Sequence, residues 1–420
     1  MATQFSVKDG KQWKAPFFTI WSGQAISLLG SQLVQFALIW YITVETGSAT
    51  ALAIATMVVI LPQVILSPFI GALVDRWDRR QIMIVADTVI ALATLAMAAL
   101  FALEIIELWH IYSLLIVRAI GGAFHGPAMT SSTSLMVPKE HITRIQGVNQ
   151  ALNGGLNIIS APLGALLIEL IPTQGVLAID VVTAAFAIIP LFFIAIPQPE
   201  RDTQPNGEKP SVLREMKEGL DYVLAWRGMM YIAGIAMLLN FLLAPASSLV
   251  PLSIKEHFGG GAMQLGWVNS AFGVGVILGG LILGAWGGFK RRIVTSILGI
   301  AGIGLGALLM GIAPANALYV ALAANFIFGV FQPIANGALG AIMQVTVDPS
   351  MQGRVFTLLG SASAAMMPIG LAIAGPLSDR FGIQTWFIVG GVACLVMSVL
   401  MLTIPAVMNI ESNHQNAGKP

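Results

Sequence analysis

Apolar stretches of roughly 20 residues or more follow one another from Phe17 to Met408, separated by short polar loops and by one longer one. Each is long enough to cross the hydrocarbon core of a bilayer, and so many spans have no plausible place in a water-soluble core. The composition agrees: 56% of the 420 residues are hydrophobic and only 10% carry charge, against about a quarter charged in ordinary soluble proteins. Lys8, Lys11 and Lys14 precede the first apolar stretch without an h-region of their own, so that stretch reads as a span and not as a cleaved signal peptide. A net charge of +1 gives no case for a nucleic-acid partner. The single cysteine, Cys394, excludes a disulfide framework or a cysteine metal site.

Hydropathy places spans at about 16–44, 49–74, 81–103, 109–136, 142–170 and 175–197, then 228–255, 263–287, 291–312, 316–345, 352–377 and 383–408. The predicted architecture is an all-α integral membrane protein of 12 transmembrane helices. Residues 1–197 and 228–408 form two six-helix halves, 198–227 a linker, and 409–420 a tail. Within the linker, Leu213, Met216, Leu220 and Val223 recur at helical spacing, which predicts a short amphipathic helix. Of the 21 Lys and Arg residues, all but Lys255, Arg380 and the intramembrane Arg118 fall on one side if the N-terminus is inside. Both termini are therefore expected in the cytoplasm.

The halves repeat. Pro127, Gln146, Gly147, Pro162 and Gly164 match Pro333, Gln352, Gly353, Pro368 and Gly370 at a constant offset of 206 residues. Parallel repeats of this kind belong to transporters that rock around a site near the membrane midplane.

The loop after the second span reads Gly71-Ala-Leu-Val-Asp-Arg-Trp-Asp-Arg-Arg80. It resembles the major facilitator superfamily, whose loop pattern is Gly-x-Leu-x-Asp-Arg-x-Gly-Arg-Arg. Gly71, Leu73, Asp75, Arg76, Arg79 and Arg80 match, while Asp78 replaces the usual glycine, as is common in the macrolide-efflux branch of the drug:proton antiporters. Thr46-Gly47-Ser48 and Ala86-Asp87 are similar to that branch as well. The resemblance implies a cytoplasmic gating loop made by Gly71, Asp75, Arg76, Asp78, Arg79 and Arg80, whose arginines can also meet lipid phosphates. The corresponding loop, Gly284 to Arg292, keeps the basic cluster and lacks the acid. Ala161-Pro162-Leu163-Gly164 resembles a worn antiporter motif, and Gly375-Pro-Leu-Ser-Asp-Arg380 is a short marker near the end of the eleventh span.

Arg118 is costly to bury in hydrocarbon, so a partner or a water-filled cavity is expected. With Gly122 it resembles the superfamily's fourth-helix Arg-x-x-x-Gly motif, which implies a part in proton coupling. Asp87, Glu104, Glu169 and Asp180 are the acids nearest the membrane, all close to span ends, and Asp87 is the first choice as proton carrier. Gln24, Gln35, Phe36, His125, Asn153, Asn157, Asn240, Asn269, Asn325, Gln332 and Asn336 are candidate substrate-cavity residues, since amides among aromatics and methionines suit an amphipathic ligand. For each of them interhelical packing is a competing role.

No nucleotide loop, metal pair or catalytic constellation is present. The expectation is a non-enzymatic secondary transporter without cofactor or metal, driven by an ion gradient, most simply protons. It would export small amphipathic drugs of the macrolide type from the bacterial cytoplasmic membrane and act as a monomer. Export of an endogenous siderophore or lysolipid, and a transporter-shaped receptor, are the alternatives.

Overall fold

The computed structural model describes residues 13–198, 212–348 and 351–411, and among them no strand forms. A backbone surrounded by lipid must satisfy its own N–H and C=O groups, which an α-helix does within one segment. The helices are α1 (Lys14–Thr46), α2 (Ala49–Arg76), α3 (Arg79–Ala102), α4 (Leu108–Met136), α5 (Lys139–Leu170) and α6 (Thr173–Phe193). After the short α7 (Val212–Ala225) follow α8 (Arg227–Leu252), α9 (Ala262–Trp286), α10 (Arg292–Ile312), α11 (Leu318–Thr346), α12 (Gln352–Phe381), α13 (Ile383–Thr403) and the single turn α14 (Pro405–Met408). Among the described residues, 11 helices are long and apolar enough to span a membrane. The twelfth, α4, is 29 residues long but carries Arg118, His125 and the run Thr130 to Ser134.

Local chemistry sets the breaks. Asp78 caps α3, its carboxylate accepting from Gln81 N at 3.1 Å. Gly382, at φ 90°, makes the sharp turn between α12 and α13 that a side chain would oppose. Of the linker assigned to 198–227, residues 199–211 lie outside the described residues, as does the tail from 412 on. Most of the remainder of the linker is α7, which buries Val223 beside Val347 and Val355 and carries Glu218, 2.6 Å from Arg354. Leu220 and Leu224 stay exposed on it.

The chain forms two compact units, residues 1–45 with 58–207, and residues 46–57 with 208–420. The helix α2 therefore begins in the second unit and ends in the first. In the first, α3 packs on both α4 and α6, around Ile82, Met83, Ala128 and Leu191. Gly23 and Gly30 bring α1 against α6, where a methyl group would collide with Phe186 O and with Thr183. In the second, α10 packs on α11 and α13, α11 on α9, and α8 on α12. Gly275 of α9 and Gly329 of α11 permit that crossing, since a Cβ on either would strike the backbone of the other helix. Leu92, Val182, Phe193 and Leu281 point outward, exposed as lipid-facing residues must be.

Candidate functional site

Three helices of the first unit each carry two polar residues seven positions apart: Gln24 and Ser31 on α1, Asp87 and Thr94 on α3, Arg118 and His125 on α4. Seven residues are close to two helical turns, so each pair shares a face and is separated by about 10 Å along its helix. The six side chains meet in two layers.

In one layer, Asp180 of α6, 1% exposed, accepts from Arg118 at 2.7 Å, from Thr94 at 2.9 Å and from Ser31 at 3.0 Å. Arg118 also donates to Thr94. This is the partner that the cost of Arg118 demands. Asp180 stands seven residues after the start of α6, about 10 Å in, deeper than its place near a predicted span end implied. Guanidinium and carboxylate match in charge, and the Ser31 and Thr94 hydroxyls add two further hydrogen bonds to the carboxylate.

The other layer is less completely paired. Gln24 Nε2 donates to Asp87 Oδ2 at 3.0 Å, while His125 Nε2 lies 2.9 Å from Gln24 Oε1 and 3.3 Å from Asp87 Oδ1. Both neighbours of that ring nitrogen are acceptors, which places a proton on it. The Asp87 carboxylate is matched in charge only when the imidazole carries its second proton. Asp87 is 5% exposed, but Gln24 and His125 form part of the wall of a cavity of about 360 Å³. Trp21, Met129, Asn149 and Asn153 line it too, with Trp21 Nε1 donating to Asn149 Oδ1 at 2.7 Å. Apolar faces with a few directed amides are the makeup of small-molecule sites.

The second unit encloses a separate cavity of about 160 Å³, where Asn269 and Asn325 sit among Phe272, Phe328, Phe387 and Met310. Asn325 spends its amide N–H on Ala321 O at 3.0 Å, and no charged residue lines this cavity.

Of the other sequence candidates, Phe36 is 7% exposed and packs on Gly164, and Asn240 donates back to Ala236 O of its own helix at 2.9 Å. Gln35, Asn157, Gln332 and Asn336 line neither cavity. Asn157 and Asn336 are exposed.

In the loop motif, Gly71, Asp75 and Arg76 fall in the last turns of α2, and the side chains of Asp75 and Arg76 lie outside the described residues. Asp78 is the α3 cap. Arg79 is 7% exposed, and Arg80 donates to Leu191 O and, at 2.8 Å, to Phe192 O. Arg80 thus places a cation on the final carbonyls of α6, where the helix dipole favours it. In the corresponding loop of the second unit, Arg292 meets an acid from farther along the chain: its N–H donates to Glu411 at 3.1 Å and its guanidinium lies 3.7 Å from the same carboxylate.

A family model described as the Major Facilitator Superfamily matches residues 20–244 and 235–419. The chain is 33% identical over 399 residues to Macrolide efflux protein A of Streptococcus pyogenes, covering 95% of this chain and 98% of that protein. It is 25% identical to the Multidrug efflux pump Tap of Mycolicibacterium fortuitum, over 91% of this chain and 94% of the pump. Among solved structures, a POT family transporter in complex with 5-aminolevulinic acid superimposes with a TM-score of 0.71 at 11% identity, covering 96% of both chains.

Proposed function

Because the chain belongs to the major facilitator superfamily, and is thus a multi-pass membrane transporter of small molecules and not an enzyme, we propose that it exports amphipathic drugs of the macrolide type in exchange for protons. The observation that carries this reading is the Asp87–Gln24–His125 layer on the wall of the larger cavity. Its charge balance changes when a proton arrives, next to a space where a ligand can sit. The Arg118–Asp180 layer is internally neutral, its carboxylate accepting three hydrogen bonds. It serves as the anchor that holds α1, α3, α4 and α6 in place, and the proton resides on Asp87 or His125. Proton and ligand compete for the first unit, and each shifts the balance between inward- and outward-facing states only by its differential affinity for them. The names of the relatives, macrolide and multidrug efflux proteins, support the substrate class.

The positive-inside distribution of Lys and Arg supports cytoplasmic termini and a bacterial cytoplasmic-membrane location, with the loop arginines near lipid phosphates. A monomer suffices, since the polar layers and both cavities are each built within one chain.

The test is accumulation of a labelled macrolide in pump-deficient bacteria expressing the protein, with and without a protonophore, beside Asp87→Asn and His125→Gln. Lowered accumulation that returns to the control level with protonophore and with Asp87→Asn is expected. Export that persists unchanged under both conditions would falsify proton coupling through this layer.

A further inference from the structure

Two short runs remain without a role, Thr46-Gly47-Ser48 and Gly375 to Arg380, and within the second unit they meet. Asp379, near the end of α12, accepts four hydrogen bonds from the start of α2. Ala49 N reaches its Oδ1 at 2.6 Å, and Oδ2 takes Thr50 N at 3.1 Å, Thr50 Oγ1 at 2.6 Å and Ser48 Oγ at 3.0 Å. The first amides of a helix have no partner within it, and a carboxylate there meets both the free N–H groups and the positive end of the dipole. Ser48, just before α2, caps Ala51 N at 3.3 Å in the ordinary way; the two amides before Ala51 are taken by a carboxylate from another helix.

The contact continues along both helices. One turn before Asp379, Gly375 faces α2 so closely that a Cβ would lie 2.9 Å from Thr50 Cα and 3.1 Å from Ala53 Cβ. Thr56 Oγ1 is 2.8 Å from Ser248 Oγ of α8. Gly47, at φ 56°, lets the chain turn into the helix. Through these contacts residues 46–57 pack within the second unit, while α2 from Val58 onward belongs to the first.

We propose that Asp379 is a positioning residue for transport. It clamps the first turns of α2 onto α12, and release of this clamp is the step that opens the substrate path at the end of α2 remote from the Asp75–Arg80 loop. The role in transport rests on the export reading; the clamp does not, and can be tested without substrate.

In the full-length protein with Cys394→Ala, Ser248→Cys reports whether α2 covers α8. A membrane-impermeant maleimide is applied to intact cells and, separately, to inverted vesicles. Asp379→Ala is expected to raise the labelling rate roughly tenfold, the size of effect expected when charge-assisted hydrogen bonds are lost from an equilibrium between closed and open states. Asp379→Asn, which keeps an acceptor oxygen and loses the charge, should fall between parent and Ala. Thr50→Ala, which removes one side-chain donor and leaves Asp379 in place, provides a second reading if Asp379→Ala does not reach the membrane. Labelling within twofold of the parent in both Ala variants overturns the clamp. Accelerated labelling in a protein that moves no macrolide would uphold the clamp and overturn the export reading, and acceleration confined to inverted vesicles would overturn the cytoplasmic placement of the Asp75–Arg80 loop at the other end of α2.

Discussion

Replacing Asp180 by Leu removes the acceptor of three hydrogen bonds and leaves the Arg118 guanidinium, on a side chain 11% exposed, with Thr94 as its remaining partner. Breaking a buried ion pair on one side costs about 3–5 kcal/mol, because an uncompensated charge remains. For a unit of this size about 1 kcal/mol corresponds to about 2–4 °C in melting temperature, so Asp180→Leu should melt on the order of 10 °C below the parent. Adding Arg118→Met removes the orphaned charge and fills the space with a chain of similar length. Doubly apolar replacements of buried pairs are often neutral or stabilising, so the double variant should recover most of the loss despite carrying two substitutions. The assay is thermal unfolding of detergent-purified protein, run as a double-mutant cycle with Arg118→Met alone as the fourth corner. If the two single losses simply add, the pair is not coupled and the anchoring role given to this layer is wrong.

Two further outcomes follow from the helix ends and crossings. Asp78→Ala should cost about 1 kcal/mol through loss of the α3 cap, whereas Asp78→Gly should cost only a few tenths, and the melting temperatures of the two variants decide it. Gly329→Leu drives a side chain into the Phe272 carbonyl at the α9–α11 crossing and should leave no monodisperse protein on size exclusion. Gly340→Ala, with nothing within 4 Å of the new Cβ, should elute like the parent.

The helices were legible because a span announces itself by length and hydropathy alone, and the hydropathy boundaries fall within a few residues of α1 to α6. The Arg118 requirement for a partner was legible too, from the cost of a charge in hydrocarbon. Its identity was not. Asp180 lies close in sequence to the loop before α6, and only the angular position of that helix shows that it turns toward α1, α3 and α4. The heptad spacing on those three helices was open to inspection, yet spacing within one helix carries meaning only once its neighbours' facing sides are known. Gln24 and His125 were recognisable as polar intruders, but their union with Asp87 depends on three helices, while the equally polar Asn240 turns back on its own backbone. The Gly375 to Arg380 run was visible only as a marker because its partner lies some 330 residues away.

The paired polar positions on α1, α3 and α4 work like teeth on three combs cut to one pitch. Sliding any of the helices by one turn, about 5.4 Å, would pull its tooth out of both layers at once, and no neighbouring notch is cut to receive it. Small sliding adjustments are therefore closed to this part of the molecule. It travels as a block or not at all, and a change of partners has to come from contacts outside it, such as the one carboxylate of Asp379 that holds the start of α2.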